Sequence, residues 1–127
     1  MPWFAAHVIV YFQWTDGPQS RFNVYENVHL IEAADGTAAR ARAEVLGRRE
    51  AGDDRGTLRE TDNAGVVHPT RRVFAGVRKV LTVAHEREDE QLGTDDEVTF
   101  SEFQVDDQQA IQRLASGEAV ALTYTDL

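Results

Sequence analysis

The chain has 127 residues, 42% of them hydrophobic, with two Trp, three Tyr and six Phe. That is enough apolar material to fill the core of one domain, and it excludes disorder of the whole chain. It contains no cysteine, which excludes disulfides, thiolate metal sites and cysteine nucleophiles. The net charge of −9 is unevenly spread: residues 1–85 hold 11 basic against 10 acidic side chains, and residues 86–127 hold 2 against 12. Such a field repels nucleic-acid phosphates and anionic membranes, so neither is an expected partner. A basic protein docking on the acidic C-terminal third is compatible with it.

The N-terminus alternates. Phe4, Ala6, Val8, Val10, Phe12 and Trp14 share one parity, and His7, Ile9, Tyr11 and Gln13 the other, the pattern of a strand with one face committed to a core. The segment lacks a basic leader and is read as this strand rather than as a signal peptide. No apolar run approaches the roughly 20 residues that cross a bilayer, so a cytoplasmic protein is expected. Residues 15–21 carry the turn formers Asp16, Gly17 and Pro18.

Phe22–Glu32 then reads as a second strand. Phe22, Val24, Val28 and Leu30 form its apolar parity, and a hairpin register that sets Trp14 against Phe22, Phe12 against Val24 and Val8 against Val28 matches apolar face to apolar face. This register places Val10 opposite Glu26, Tyr11 opposite Tyr25 and His7 opposite His29. It also puts the carboxylate of Glu26 on a core-facing slot, where an ionised group is strongly destabilising unless paired. A bulge, a place at the rim of the core, or an ion pair resolves the conflict. The partner expected is Arg78, the one charge on the parity Phe74, Gly76, Arg78 and Val80 of its strand.

Asp35 caps a helix from Gly36 to about Glu50, with Ala39, Ala43 and Leu46 as its buried stripe. Gly52–Gly65 is polar and glycine-rich and reads as an exposed loop. Val73–Val83 is a third strand, residues 85–97 an acidic loop turning at Gly93, and Val98–Val105 a fourth strand. Asp106 and Gln109 have capping-box spacing ahead of a short helix through Ala110, Ile111, Leu114 and Ala115 that stops at Gly117. Ala119–Tyr124 closes the chain as a strand. The order ββαββαβ predicts a single α+β domain over residues 1–127: a mainly antiparallel sheet of about five strands with two helices packed on one face, a ferredoxin-like variant.

No phosphate loop, dinucleotide fingerprint, HExxH, nucleophile elbow or calcium loop occurs in the sequence. His7 and His29, opposed across the hairpin, lack a third ligand, so no metal or cofactor is expected. Ile9, Tyr11, Tyr25 and Ile31 form a second apolar face of the hairpin, expected to be covered by a second copy of the chain or by the 52–65 loop. The segments ENVHLIEAADGTAARARAE, FAGVRKV and EVTFSEFQV, in that order, resemble the domain of unknown function 4288 family. The resemblance implies a bacterial, cytoplasmic, single-domain protein and brings no activity with it.

These readings converge on a non-enzymatic binding or protein-interaction module, in its most concrete form an immunity-like or antitoxin-like protein that masks a basic partner. Glu26, Arg78, His7, His29, Tyr11 and Tyr25 are its candidate ligand- or partner-binding residues. The alternative is a small-ligand sensor or small enzyme in which Glu26, enclosed in a low-dielectric pocket, serves as an acid or base.

Overall fold

The computed structural model describes residues 1–52, 56–83 and 93–125. The chain is α+β. Strands β1 (Trp3–Trp14) and β2 (Val24–Glu32) lead into helix α1 (Gly36–Gly52), then β3 (Arg59–Thr61), β4 (Val67–Thr82), β5 (Glu102–Gln104), helix α2 (Gln108–Ala115) and β6 (Thr123–Thr125). The first four strands form one antiparallel sheet in the order β2-β1-β4-β3. Among the described residues, strands β5 and β6 pair only with each other. The last two strands thus do not extend the large sheet as expected, and among the described residues α1 is the helix that packs broadly on it. Part of the acidic 85–97 loop lies outside the described residues. None of the described helices is long and apolar enough to cross a membrane.

The central strand is β1, hydrogen-bonded on both sides and buried from Phe4 to Val8. Its even residues Phe4, Ala6, Val8 and Val10 pack with Ile31, Ala33, Ala39 and Ala43, and with the half-buried Leu46, Phe74, Val77 and Val80. Small residues bring the helix close: Ala39, Ala43 and Gly47 are its buried positions. Asp35 holds its start, accepting the Ala38 amide at 2.8 Å. At the other helix the cap is Asp107 rather than Asp106. Its Oδ1 accepts the Ala110 amide at 2.8 Å. Gly117, at φ 86°, ends α2 in a left-handed turn in which the Glu118 amide donates to the Arg113 carbonyl.

The hairpin register differs from the expected one by one residue, and this is the main correction. Ala6 faces His29, His7 faces Val28, Val8 faces Asn27, Ile9 faces Glu26 and Val10 faces Tyr25. A slip of one residue moves every β2 side chain to the other face. Glu26, Val24, Val28 and Leu30 therefore lie on the face away from α1, and His29 lies on the α1 face. Alternation misled because β2 is an edge strand: Val24, Val28 and Leu30 stay exposed, so burying them never selects the register. Side-chain bonding at the turn does. Gln19 accepts the Trp14 amide at 2.9 Å and donates to the Phe12 and Arg21 carbonyls at 3.1 and 2.9 Å, while the Phe12 amide donates to the Asn23 carbonyl. Ile9 and Tyr11 consequently do not share a face with Tyr25 and Ile31, and the continuous second apolar face does not exist.

Opposite β1, strand β4 slips register between its partners to His7 and Val8, and again between those to Ile9 and Val10. The extra residues are Arg78 and Ala75. The 52–65 stretch is not all loop, since β3 forms within it, and the Asp62–Val66 turn carries Gly65 at φ 82°.

Gly47 tests the close packing of α1. A Cβ there would lie inside the van der Waals envelope of the Phe74 ring and 3.1 Å from Val8 Cγ1. Alanine is favoured over glycine in a helix by about 1 kcal/mol, whereas overpacking costs about 1–3 kcal/mol. Gly47→Ala is expected to lower stability in urea unfolding, and Phe74→Leu in the same chain to recover part of the loss.

Candidate functional site

On the face of the sheet away from α1, the side chains of His7, Glu26, Arg78 and Thr99 converge. His7 is 4% exposed; its Nε2 lies 3.1 Å from Thr99 Oγ1 and its Nδ1 3.4 Å from Glu26 Oε1. The latter distance is too long for a good hydrogen bond, and Nδ1 is left buried and unsatisfied. Glu26 Oε1 also accepts from Arg78 Nη1 at 3.3 Å. The bulge accounts for the cation: it places Arg78 beside Lys79 where a regular strand would present one residue to this face. The Arg78 guanidinium further lies 4.9 Å from the centre of the Tyr124 ring. Thr99 and Tyr124 thus bring the C-terminal segment onto this face.

Glu26 does pair with Arg78, but for another reason than a shared misplacement in the core. Its side chain is 40% exposed, and that of Arg78 29%. Burial holds the His7 imidazole below its ordinary value, with Glu26 opposing and Lys79 and Arg78 reinforcing the shift. His29 is on the other face, 3.2 Å from Glu50 of α1, so His7 and His29 cannot share an ion. Among the described residues no group of three or more His, Asp or Glu side chains is arranged to hold a metal ion. Tyr11 packs edge-on against Phe22 and Tyr25 against Phe12, on opposite faces. Of the six candidate residues, the structure brings together His7, Glu26 and Arg78.

A second cluster, at the turn end of the sheet, lies outside the six sequence candidates. The indole of Trp14 stacks on the imidazole of His68 at 3.7 Å and 5°. His68 Nδ1 lies 3.0 Å from Asp16 Oδ1, and Nε2 lies 2.8 Å from Asp62 Oδ2. Trp14 Nε1 donates to Glu60 Oε1 at 3.0 Å, and Asn23 Nδ2 donates to Glu60 Oε2 at 2.6 Å. Asn23 stands at the foot of β2 and Glu60 on β3, the two outer strands of the sheet. Their bond shows that the sheet curls until its edges meet, as at the mouth of a barrel. A cavity of about 480 Å³ opens there, lined by Trp14, Ser20, Arg21, Asn23 and the 60–64 segment. The sequence signal for this cluster was slight: a turn-forming DNAG ahead of a histidine, with Asp16 52 residues away.

The hydrogen bond to Asp62 raises the His68 imidazole above its ordinary value, with Asp16 adding to it, and the same bond lowers the Asp62 carboxyl. Comparison with protein-family models, with curated proteins and with solved structures gives no match to this chain.

Two expectations follow for the first cluster. Because both partners are partly exposed, Glu26 and Arg78 should couple by about 0.2–1 kcal/mol in a double-mutant cycle, well short of the 3–5 kcal/mol lost when a buried pair is broken. The second concerns pH. A histidine with a depressed folded value leaves the unfolded chain binding more protons below about 6.5, so His7 removes stability as pH falls from there through its folded value. The wild-type melting temperature should carry an acid-side decline between pH 7 and 5 that is shallower in His7→Leu.

Proposed function

We propose that the protein is a non-enzymatic interaction module that takes an extended, basic segment of a partner protein along the edge of β2. The observation that carries this reading is the state of that edge. Over nine residues β2 runs without a bulge against β1, contains neither proline nor lysine, and leaves Val24, Val28 and Leu30 exposed by 57, 43 and 44%. Edges that are not meant to pair are usually blunted by those very devices. An unblunted edge with an apolar row offers a partner strand its backbone bonds and alternate side-chain contacts.

Charge indicates what kind of segment. Glu26, 40% exposed and shared with Arg78, interrupts the exposed row between Val24 and Val28, and residues 93–125 carry seven carboxylates against Arg113 alone. A strand added antiparallel would meet Leu30, Val28, Glu26 and Val24 in turn, so it should read apolar, apolar, basic, apolar at alternate positions. A second copy would bring its own Glu26, Glu32 and acidic segment, so charge favours a basic partner over the homodimer. The masking of a basic protein, as immunity proteins and antitoxins do, is the biological form of this reading. The resemblance to the domain of unknown function 4288 family neither adds to it nor opposes it. The enzyme alternative is less well supported, because a 40% exposed carboxylate facing an arginine lacks the enclosure a general base needs.

Selection from a displayed library of random ten-residue peptides is the test. Enrichment of the alternating apolar and basic pattern, with at least tenfold weaker binding (about 1.4 kcal/mol) by a folded Val28→Asp variant, is expected. Enriched peptides without alternation, or binding indifferent to Val28→Asp, would overturn the proposal. A dimer in light scattering that Val28→Asp dissociates would put a second copy on the edge instead.

A further inference from the structure

Both ring nitrogens of His68 face carboxylates: Asp16 at 3.0 and 3.1 Å from Nδ1, and Asp62 at 2.8 Å from Nε2. An ionised carboxylate only accepts hydrogen bonds, and a neutral imidazole has a single N–H. The two contacts can be hydrogen bonds together only when the ring is the imidazolium. The two carboxylates belong to different connections, Asp16 to the β1–β2 turn and Asp62 to the β3–β4 turn, so the ring ties together loops that are distant in sequence.

The two ties are unequal. Asp62 is anchored within its own turn, where Oδ1 accepts the amides of Ala64 and Val66, each at 2.9 Å. The ring is held in place by its stack on Trp14, and Trp14 by Glu60. Asp16 is exposed, and the bonds near it fasten its neighbours: the Thr15 amide to the Pro69 carbonyl and the Trp14 amide to Gln19. A ring with one proton keeps the shorter bond to the anchored Asp62 and loses Asp16. The turn after Asp16 runs on to Ser20 and Arg21, which line the mouth cavity. Among the described residues the charged groups that face the ring are Asp16, Asp62 and Glu60, the cross-strand partner of His68, with Arg21 on the lining of the cavity beyond.

We propose that His68 is a proton-operated latch on the mouth of the curled sheet: the imidazolium ties the Asp16 turn to the Asp62 turn, and loss of one proton frees the Asp16 turn beside the cavity. The direction agrees with the electrostatics, since both carboxylates favour the charged ring. By linkage, a raised folded value contributes stability fully below the unfolded value near 6.5 and loses it as pH rises through the folded value. The latch therefore closes on the acid side and opens on the alkaline side. It is independent of the β2 edge, so either proposal can fail alone.

The test is long-range 15N correlation of the His68 ring nitrogens from pH 5.5 to 9, with Trp14 emission followed in a Trp3→Phe background. Both nitrogens should be protonated at pH 6.5, with a midpoint above 6.5. The Asp16, Gly17 and Gln19 amides should move with that midpoint, while Ala64 and Val66 move less. Asp16→Asn, a conservative change in an exposed turn, should lower the midpoint. His68→Gln should abolish the pH step in Trp14 emission. A neutral ring at pH 6.5, a midpoint unmoved by Asp16→Asn, or a titrating ring with a static Asp16 turn would each overturn the latch.

Discussion

The fold depends on one strand being sealed on every side. Strand β1 gives its backbone bonds to β2 and β4 and its even side chains to α1. Its odd face buries Ala5 and His7. A strand in that position can satisfy its polar backbone only through its neighbours, so the registers on its two sides decide which residues of β2 and β4 reach each face. The side chain of Gln19 pins one register, and two bulges in β4 adjust the other. The first polar cluster is a consequence: Glu26 beside His7, two cations side by side at Arg78 and Lys79, and His29 turned to the helix.

The two polar clusters answer burial in different ways. Around His7 the environment is dry on one side and cationic on another, and it suits a neutral ring whose Nδ1 lacks a full partner. Around His68 two carboxylates and an indole face suit a charged ring. The same residue type is thus driven in opposite directions at two points of one sheet, which is how histidine becomes sensitive to its surroundings near neutral pH. The first cluster helps seat the C-terminal segment through Thr99 and Tyr124. The second joins the turns at the open end of the sheet.

The β2 edge stands apart from both. Its exposed valines and leucine are not an imperfection of the core, because α1 covers chiefly β1 and β4. Among the described residues they are the part of the hairpin that α1 and the core leave exposed.

The local elements were legible in the sequence wherever the residue itself carries the reason: the alternation of β1, the Asp35 cap and alanine stripe of α1, and the Gly117 stop of α2. Alternation also identified β2 as a strand. It could not identify the face, because the apolar parity of Val24, Val28 and Leu30 is the exposed one, while the parity turned to α1 carries Tyr25, Asn27 and His29 and buries Ile31. The Glu26–Arg78 contact was anticipated on the mistaken premise of a buried charge, and tertiary structure supplied the true cause, a bulge that doubles the cations opposite His7. The His68 cluster was beyond sequence reasoning, since only the curl of the sheet brings Asp16, Asn23, Glu60 and Asp62 to one end. Strand and helix are set within a few residues of chain, where side-chain period and caps act. Register, curl and the meeting of distant charges are settled by bonds between segments that the sequence lists far apart.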